Sequence, residues 1–366
     1  MIIFGSPGRY IQGPGTLDRI GEEIGRLGKS AVLVADDVVD GIVGGRVAAS
    51  CDAAGVALGK LAFGGEITPG EIDRLFGALG GRRPDVVIAA GGGKCIDAGK
   101  GLAARLGAEV ASLPTIASND APTSHVYVLY DEDHRLLRVD KLPRNPALVL
   151  VDTAVIVRAP RILFLAGIGD ALVKSFEAAQ CARSGGRNIY GSRPSQAGLV
   201  LGDACYRCLR DHAAAALAAV DRRETDEAVE RVVEATVLWS GLAFENGGLS
   251  IVHSMTRGLS AVPALAGALH GLQVAYALLV QFLLEGRDPP FMDDHLAFYR
   301  ALGLPCGLAD LGLAVPTEDD YAVIAELTLQ APHARNFERA LAAEDLVRAM
   351  RALDGRAAVR RPGCSR

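Results

Sequence analysis

The chain has 366 residues, enough for two domains at roughly 150 residues each. Half of the residues are hydrophobic, 22% are charged and the formal net charge is −5, an ordinary globular balance. That balance excludes the basic footprint of a nucleic-acid binder and gives no reason to expect a membrane partner. The 7 cysteines are odd in number and scattered, which argues against a disulfide framework and for a reducing compartment. The run Met1 to Pro7 lacks a basic start and a long apolar core, so no secretory signal is expected and the cytoplasm follows by default.

Ala31 to Ala35 reads as a buried strand, and Val38 to Ala54 as a helix. Ala57 to Phe63 is a further strand candidate. Thr68 followed by Pro69 predicts a helix start, with Thr68 as N-cap and Pro69 in the first turn. Asp85 to Ala90 is a short apolar strand running into Gly91-Gly92-Gly93-Lys94. Lys94 to Leu106 is helical, and Val110 to Leu113 is extended again. Short apolar strands alternating with helices predict a parallel sheet with helices on both faces. Val126 to Tyr130 and Arg135 to Val139 flank Asp131-Glu132-Asp133-His134, a turn signal that predicts a hairpin. Leu148 to Asp152 is the expected last strand.

After Arg158-Ala159-Pro160 the texture changes. Strand patterns disappear, and helical spacing runs over Ser195 to Leu217, Thr225 to Glu245, Leu269 to Glu285 and Ala340 to Leu353. The expected organisation is an α/β domain over 1–158 and an all-helical domain over 159–366. Ala261 to Leu284 is the most membrane-like stretch, but Pro263, His270, Gln273 and Gln281 favour a buried helix after a loop. Cys205 and Cys208 form a lone CxxC with no second pair, and read as two helical cysteines. The tail from Gly355 to Arg366 is basic and expected to fray.

Three features carry chemistry. The glycines at 91–93 lie where a strand gives way to a helix. Glycine removes the side-chain obstruction there, and a helix N-terminus offers unpaired N–H groups, so the run suits a phosphate cradle and a plain turn equally. Asp36 ends the first clear strand, where an acid can bond ribose hydroxyls and repel a 2′-phosphate, favouring NAD over NADP. The same residue is as well placed to cap the next helix. Asp170 heads a helical run, and His253 and His270 sit in apolar surroundings. Each histidine alone reads as a satisfied core residue. Together with Asp170 they form a donor set able to hold zinc or iron with a position left for substrate, but spacing does not show that the three converge.

Six motifs stand in order: GGGKCIDAGK at 91–100, LPTIASNDAPTS at 113–124, NPALVLVD at 145–152, GIGDALVKSFEA at 167–178, SGLAFENGGLSIVHSM at 240–255 and LHGLQVA at 269–275. With them the chain resembles the glycerol dehydrogenases, within the iron-containing alcohol dehydrogenase and dehydroquinate synthase superfamily. The resemblance covers nearly the whole chain and is weakest after about residue 300. It implies a Rossmann-like α/β domain, a helical domain, an active site in the cleft and a homo-oligomer. It implies NAD-dependent oxidation of a small polyol such as glycerol. Asp36 would hold the adenosine ribose, and Gly92, Gly93, Lys94 and Asp97 would follow the pyrophosphate. Thr115, Ser118, Ser124, Val126 and Tyr130 would line the rest of the cofactor groove. Asp170, His253 and His270 would ligate one divalent metal, zinc ahead of iron or manganese. Asp120 would orient a substrate hydroxyl or relay a proton; its alternative is an Asx-turn residue before Pro122.

Ferrous alcohol dehydrogenases carry a histidine four residues after the aspartate, where this chain has Lys174, so three protein ligands are expected. Dehydroquinate synthases use glutamate where Asp170 stands here. A glycerol-1-phosphate dehydrogenase-like enzyme and a metal-dependent cyclase using NAD transiently are the competing readings; a catalytically silent nucleotide-binding homologue would have no need of the metal triad. The chain departs from the glycerol dehydrogenase pattern at Asn119, His125 and around His333.

Overall fold

The structure is a computed structural model that describes residues 1–132 and 136–359. The turn residues Asp133, His134 and Arg135, and the tail from residue 360, lie outside the described residues. The described residues divide into two units by their internal contacts: residues 5–132 and 136–164 with 218–241, and residues 1–4 with 165–217 and 242–359.

The first unit is built on six parallel strands, β1 (Tyr10–Gly13), β2 (Ser30–Ala35), β3 (Ala57–Ala62), β4 (Val86–Gly91), β5 (Glu109–Pro114) and, later in the chain, β8 (Leu148–Asp152). A separate antiparallel hairpin pairs β6 (Val126–Tyr130) with β7 (Leu136–Lys141). The sheet order is β1-β8-β5-β4-β2-β3. Successive strand residues point to opposite faces, and both faces are covered. Ala31, Leu33, Val86 and Ile88 pack with Leu17, Ile20 and Val47 from helices on one side. Val32, Val34 and Val87 pack with Ile72, Leu75 and Leu102 on the other. Such two-sided burial is why these strands are continuous apolar runs.

The strand order reverses beside β2: β3 lies on one side, and β4, β5 and β8 follow on the other. In open α/β sheets the crevice at such a reversal, beyond the carboxyl ends of the strands, is the usual ligand position. Asp36 leaves the end of β2 there, and Gly91-Gly92-Gly93 leaves the end of β4. Thr68 caps the helix Pro69–Ala78 as expected, accepting the Glu71 N–H.

Strand β1 is not legible in the sequence. It is a four-residue edge strand, paired only with β8 and half-buried, so it lacks an apolar run. The expected helix 38–54 is instead an α-turn from Asp37, a π segment Asp40–Gly44 and the helix Gly45–Ala53. A second π segment, Ala235–Trp239, interrupts the helical run expected over 225–245. Segment 218–241 joins the sheet unit through Glu230, whose carboxylate accepts Gln12 Nε2 at 2.7 Å and Thr153 Oγ1 at 2.6 Å.

The second unit is helical. His270–Leu284 is the buried helix, entered through turns after the helix Ile251–Ala261. No helix among the described residues is long and apolar enough to cross a membrane. Cys205 and Cys208 lie on the helix Gln196–Asp221, and none of the described cysteines forms a disulfide. A Cβ on Gly271 would fall 1.8 Å from the Ala166 carbonyl oxygen, and one on Gly169 would fall 2.4 Å from the Gly271 carbonyl oxygen. These two glycines let the helix Arg161–Leu172 and the start of His270–Leu284 touch backbone to backbone.

Candidate functional site

Asp170 sits near the end of the helix Arg161–Leu172, His253 in the first turn of Ile251–Ala261, and His270 at the first position of His270–Leu284. The glycine contact described above brings the first and third of these elements together. Asp170 Oδ1 lies 3.4 Å from His253 Nε2 and 3.7 Å from His270 Nε2. One donor atom from each residue falls within 4.8 Å of the others. Ligands bound at 2.0–2.2 Å around a tetrahedral ion are separated by about 3.3–3.6 Å, so the donor set fits one metal. Asp170 is almost fully buried, and the imidazole of His270 remains half-exposed.

His253 is oriented from behind. Glu177 Oε1 accepts the backbone N–H groups of Ser250 at 2.9 Å and His253 at 3.0 Å, and Oε2 pairs with His253 Nδ1. A carboxylate on one ring nitrogen fixes the imidazole and presents the other to a metal. Burial, the largest single influence, would depress His253, but the Glu177 and Asp170 carboxylates together outweigh it and push the imidazole up to about 9. Burial likewise opposes the charge on Asp170, but Lys174 and the two histidines hold that carboxyl below its usual range. Glu177 was not among the expected site residues. The signal was present as periodicity: residues 170, 174 and 177 fall on one helical face.

That face also carries Lys174, where the helix resumes after a turn at Val173. Its Nζ lies 3.1 Å from Asp170 Oδ1 and 3.1 Å from His253 Nε2. The segment around His333, a departure in sequence, supports the same region. Asn336 Nδ2 donates to the Leu249 carbonyl, and the Ser250 hydroxyl donates to the Asn336 carbonyl, bracing the start of the His253 helix.

The nucleotide-type residues lie in the sheet unit. Gly91 holds φ at +145°, and the helix Gly93–Leu106 begins without a side-chain cap, leaving its first N–H groups for a ligand or water. A Cβ at Gly93 would meet Asn119 Nδ2 at 2.5 Å, so Asn119 lies against this loop. Asp36 does cap its helix, accepting Val39 N–H at 2.8 Å through Oδ1. It also lines an open depression of about 480 Å³ with Phe63, Gly64 and Arg74. Lys94 is drawn to Glu66 at 2.5 Å and lies over the Tyr130 ring. Thr115 is buried beside the glycine loop, its N–H donating to the Gly91 carbonyl. Ser118 and Asp120 are half-buried on the following loop. The Asx-type bond there belongs to Asn119, whose Oδ1 accepts Ala121 N–H; the Asp120 carbonyl accepts Thr123 N–H.

Asp97, Ser124 and Val126 converge on a residue that went unremarked, Lys100. Its Nζ reaches Asp97 Oδ1 at 3.0 Å, the carbonyls of Ala121 at 2.6 Å and Val126 at 2.8 Å, and Ser124 Oγ at 3.2 Å. The other Asp97 oxygen accepts Val128 N–H at 3.0 Å. This buried knot ties the 118–128 loop to the glycine-run helix.

The iron-containing alcohol dehydrogenase family model matches residues 7–153. A glycolaldehyde reductase from Halobacterium salinarum is 39% identical over 88% of this chain and 89% of its own. A glycerol dehydrogenase from Escherichia coli is 38% identical over 88% of each chain. The crystal structure of glycerol dehydrogenase from Schizosaccharomyces pombe superposes with a TM-score of 0.94 at 33% identity, covering 98% of this chain and 92% of that one.

Proposed function

This chain belongs to the iron-containing alcohol dehydrogenase family, on its glycerol dehydrogenase branch, and from that membership we propose that it transfers hydride between a small vicinal diol and NAD, with one divalent ion held by Asp170, His253 and His270. The observation that carries the proposal is the convergence of those three donors, with Glu177 fixing His253 from behind. Two imidazoles and a carboxylate suit zinc best, with iron and manganese as alternatives. When bound, a divalent ion supplies Lewis acidity that lowers the pKa of a hydroxyl, as it brings water from about 15.7 toward ~7, and the nicotinamide supplies the hydride acceptor.

The chain's own residues bind and orient. Asp36 takes the adenosine ribose with the carboxylate oxygen not used for capping, and its charge disfavours a 2′-phosphate. The N–H groups at Gly92 and Gly93 and the helix that follows take the pyrophosphate. Lys94, Thr115, Ser118 and Tyr130 line the groove. Asp97, Ser124 and Val126 position that groove through Lys100 rather than by touching the cofactor. Asp120 orients the second substrate hydroxyl. Glycerol and glycolaldehyde, the compounds named by the relatives above, both carry oxygen on adjacent carbons. Glycerol is accordingly the first diol to try.

The test is NADH formation with glycerol, 1,2-propanediol and ethylene glycol, before and after chelation. The proposal expects activity that chelation removes and zinc restores. His253→Ala should lose zinc binding and turnover while still binding NAD. Full activity in metal-stripped protein would sink the metal assignment.

A further inference from the structure

The turn that carries Asp120 is seated on a segment for which the reaction above has no use. Thr123 is fully buried, and its N–H donates to the Asp120 carbonyl at 3.2 Å, closing the turn. Its hydroxyl reaches two carbonyl oxygens, those of Asp120 and Val237, each at 3.2 Å. A hydroxyl has one proton, and two equal, rather long contacts are those of a proton shared between two acceptors. Thr123 therefore fastens the Asp120 turn to a residue 114 positions away in the chain.

Val237 lies in the π segment Ala235–Trp239, and Gly241 is the second residue of the helix Ser240–Gly247 that follows. A Cβ on Gly241 would fall 1.9 Å from Thr123 Oγ1 and 3.3 Å from the Asp120 carbonyl oxygen. The helix thus meets the turn more closely than any side chain at 241 would allow. π turns are rare and gather at functional sites. Here the π segment and the bare glycine bear on the same two residues, Asp120 and Thr123. Elsewhere the turn is held by Asn145 Nδ2, which donates to the Thr123 carbonyl at 2.9 Å, and by Lys100 Nζ, which donates to the Ala121 carbonyl at 2.6 Å. The backbone is fixed from three directions, whereas Asp120 itself is only half-buried.

We propose that Thr123 is a positioning residue for Asp120, with Val237 and Gly241 as its seat, and that this seat sets the preference for a vicinal diol over a simple alcohol. Only a diol has a second hydroxyl for Asp120 to orient, so a shifted turn costs the diol and spares the alcohol. A misplacement of about 1 Å in an orienting group can cost roughly 10²-fold in rate. This role rests on the assignment of Asp120 made above.

The experiment measures kcat/KM of the full-length enzyme for 1,2-propanediol and 2-propanol, which differ by one hydroxyl, and for the matching ketones hydroxyacetone and acetone in the reductive direction. Wild type, Thr123→Val, Thr123→Ala, Thr123→Ser, Gly241→Ala and Asp120→Ala are compared, each checked for folding by circular dichroism and for NADH affinity by fluorescence. Wild type should prefer the compound with the extra hydroxyl. Thr123→Val and Thr123→Ala should lower that preference by about tenfold, with NADH affinity unchanged, and Thr123→Ser should restore it. Gly241→Ala should shift it the same way, and a wild-type preference there would remove Gly241 from the seat. Equal losses for both compounds in the Thr123 variants, or an unchanged preference, would overturn the positioning role. Asp120→Ala should abolish the preference. If it does not, the Asp120 assignment itself falls, a result distinguishable from failure at Thr123 alone.

Discussion

Two lysines in this chain are sealed from solvent, and each lies about one helical turn after an aspartate. Lys100, in the sheet unit, gives its protons to Asp97, two backbone carbonyls and a serine hydroxyl. Each of those partners lies within the same unit of the fold. Lys174, in the helical unit, leans on a carboxylate and an imidazole that are also the proposed metal ligands. A buried ammonium is costly unless it is paired and fully hydrogen-bonded. The first lysine meets that condition permanently. The second lies against groups for which another occupation is proposed. The same residue type, three residues after an aspartate in one unit and four after it in the other, is therefore a strut in the first and a neighbour of the proposed metal ligands in the second.

The comparison can be broken most directly at Lys100. Lys100→Met should destabilise the protein by roughly 3–5 kcal/mol, because Asp97 stays buried without its cation. Chemical denaturation measures this, and a midpoint equal to that of wild type would remove Lys100 from its role as a strut. A sharper probe of the helical unit is Glu177→Gln. Weakening the partner that orients a ligating histidine costs about 10–100-fold in metal affinity. Zinc titration should show that loss while the affinity for NAD is unchanged; a parallel loss of NAD binding would mean general disruption. The smallest effect is expected at Asp36→Ala. Loss of the cap costs about 1 kcal/mol of stability. NAD should bind more weakly, as followed by NADH fluorescence, and zinc affinity should stay at the wild-type value.

Much of the architecture could be read before any coordinates, because two-sided burial writes each inner strand as an apolar run. β2, β4 and β8 appear in the sequence within a residue of their observed bounds. Edge strand β1 does not, since a half-buried strand with a single neighbour has no such signature. Segment 218–241 has ordinary helical spacing, and nothing local in it announces that Glu230 will bond Gln12 and Thr153. The three donors of the candidate metal site could be named only through motif order, because their convergence depends on contacts far apart in the chain. Glu177 lies inside the motif GIGDALVKSFEA, where only its spacing from Asp170, which puts it on the same helical face, distinguishes it from a surface acid. Lys100 was hidden for a different reason. A buried lysine looks like any surface lysine until its acceptors are known, and three of its four come from the loop after β5 and the first residue of β6.

The glycine pair at 169 and 271 has a consequence for how this protein can change. Asp170 follows one glycine directly, and His270 precedes the other. Their separation is therefore gauged by main chain against main chain, with the Ala166 and Gly271 carbonyls as the stops. Core side chains elsewhere in the helical unit can be exchanged, grown or trimmed without resetting that gauge. A single methyl group at either glycine would wedge Asp170 and His270 apart. The spacing of these two proposed ligands is thereby decoupled from the packing that tunes stability, and drift in one need not detune the other.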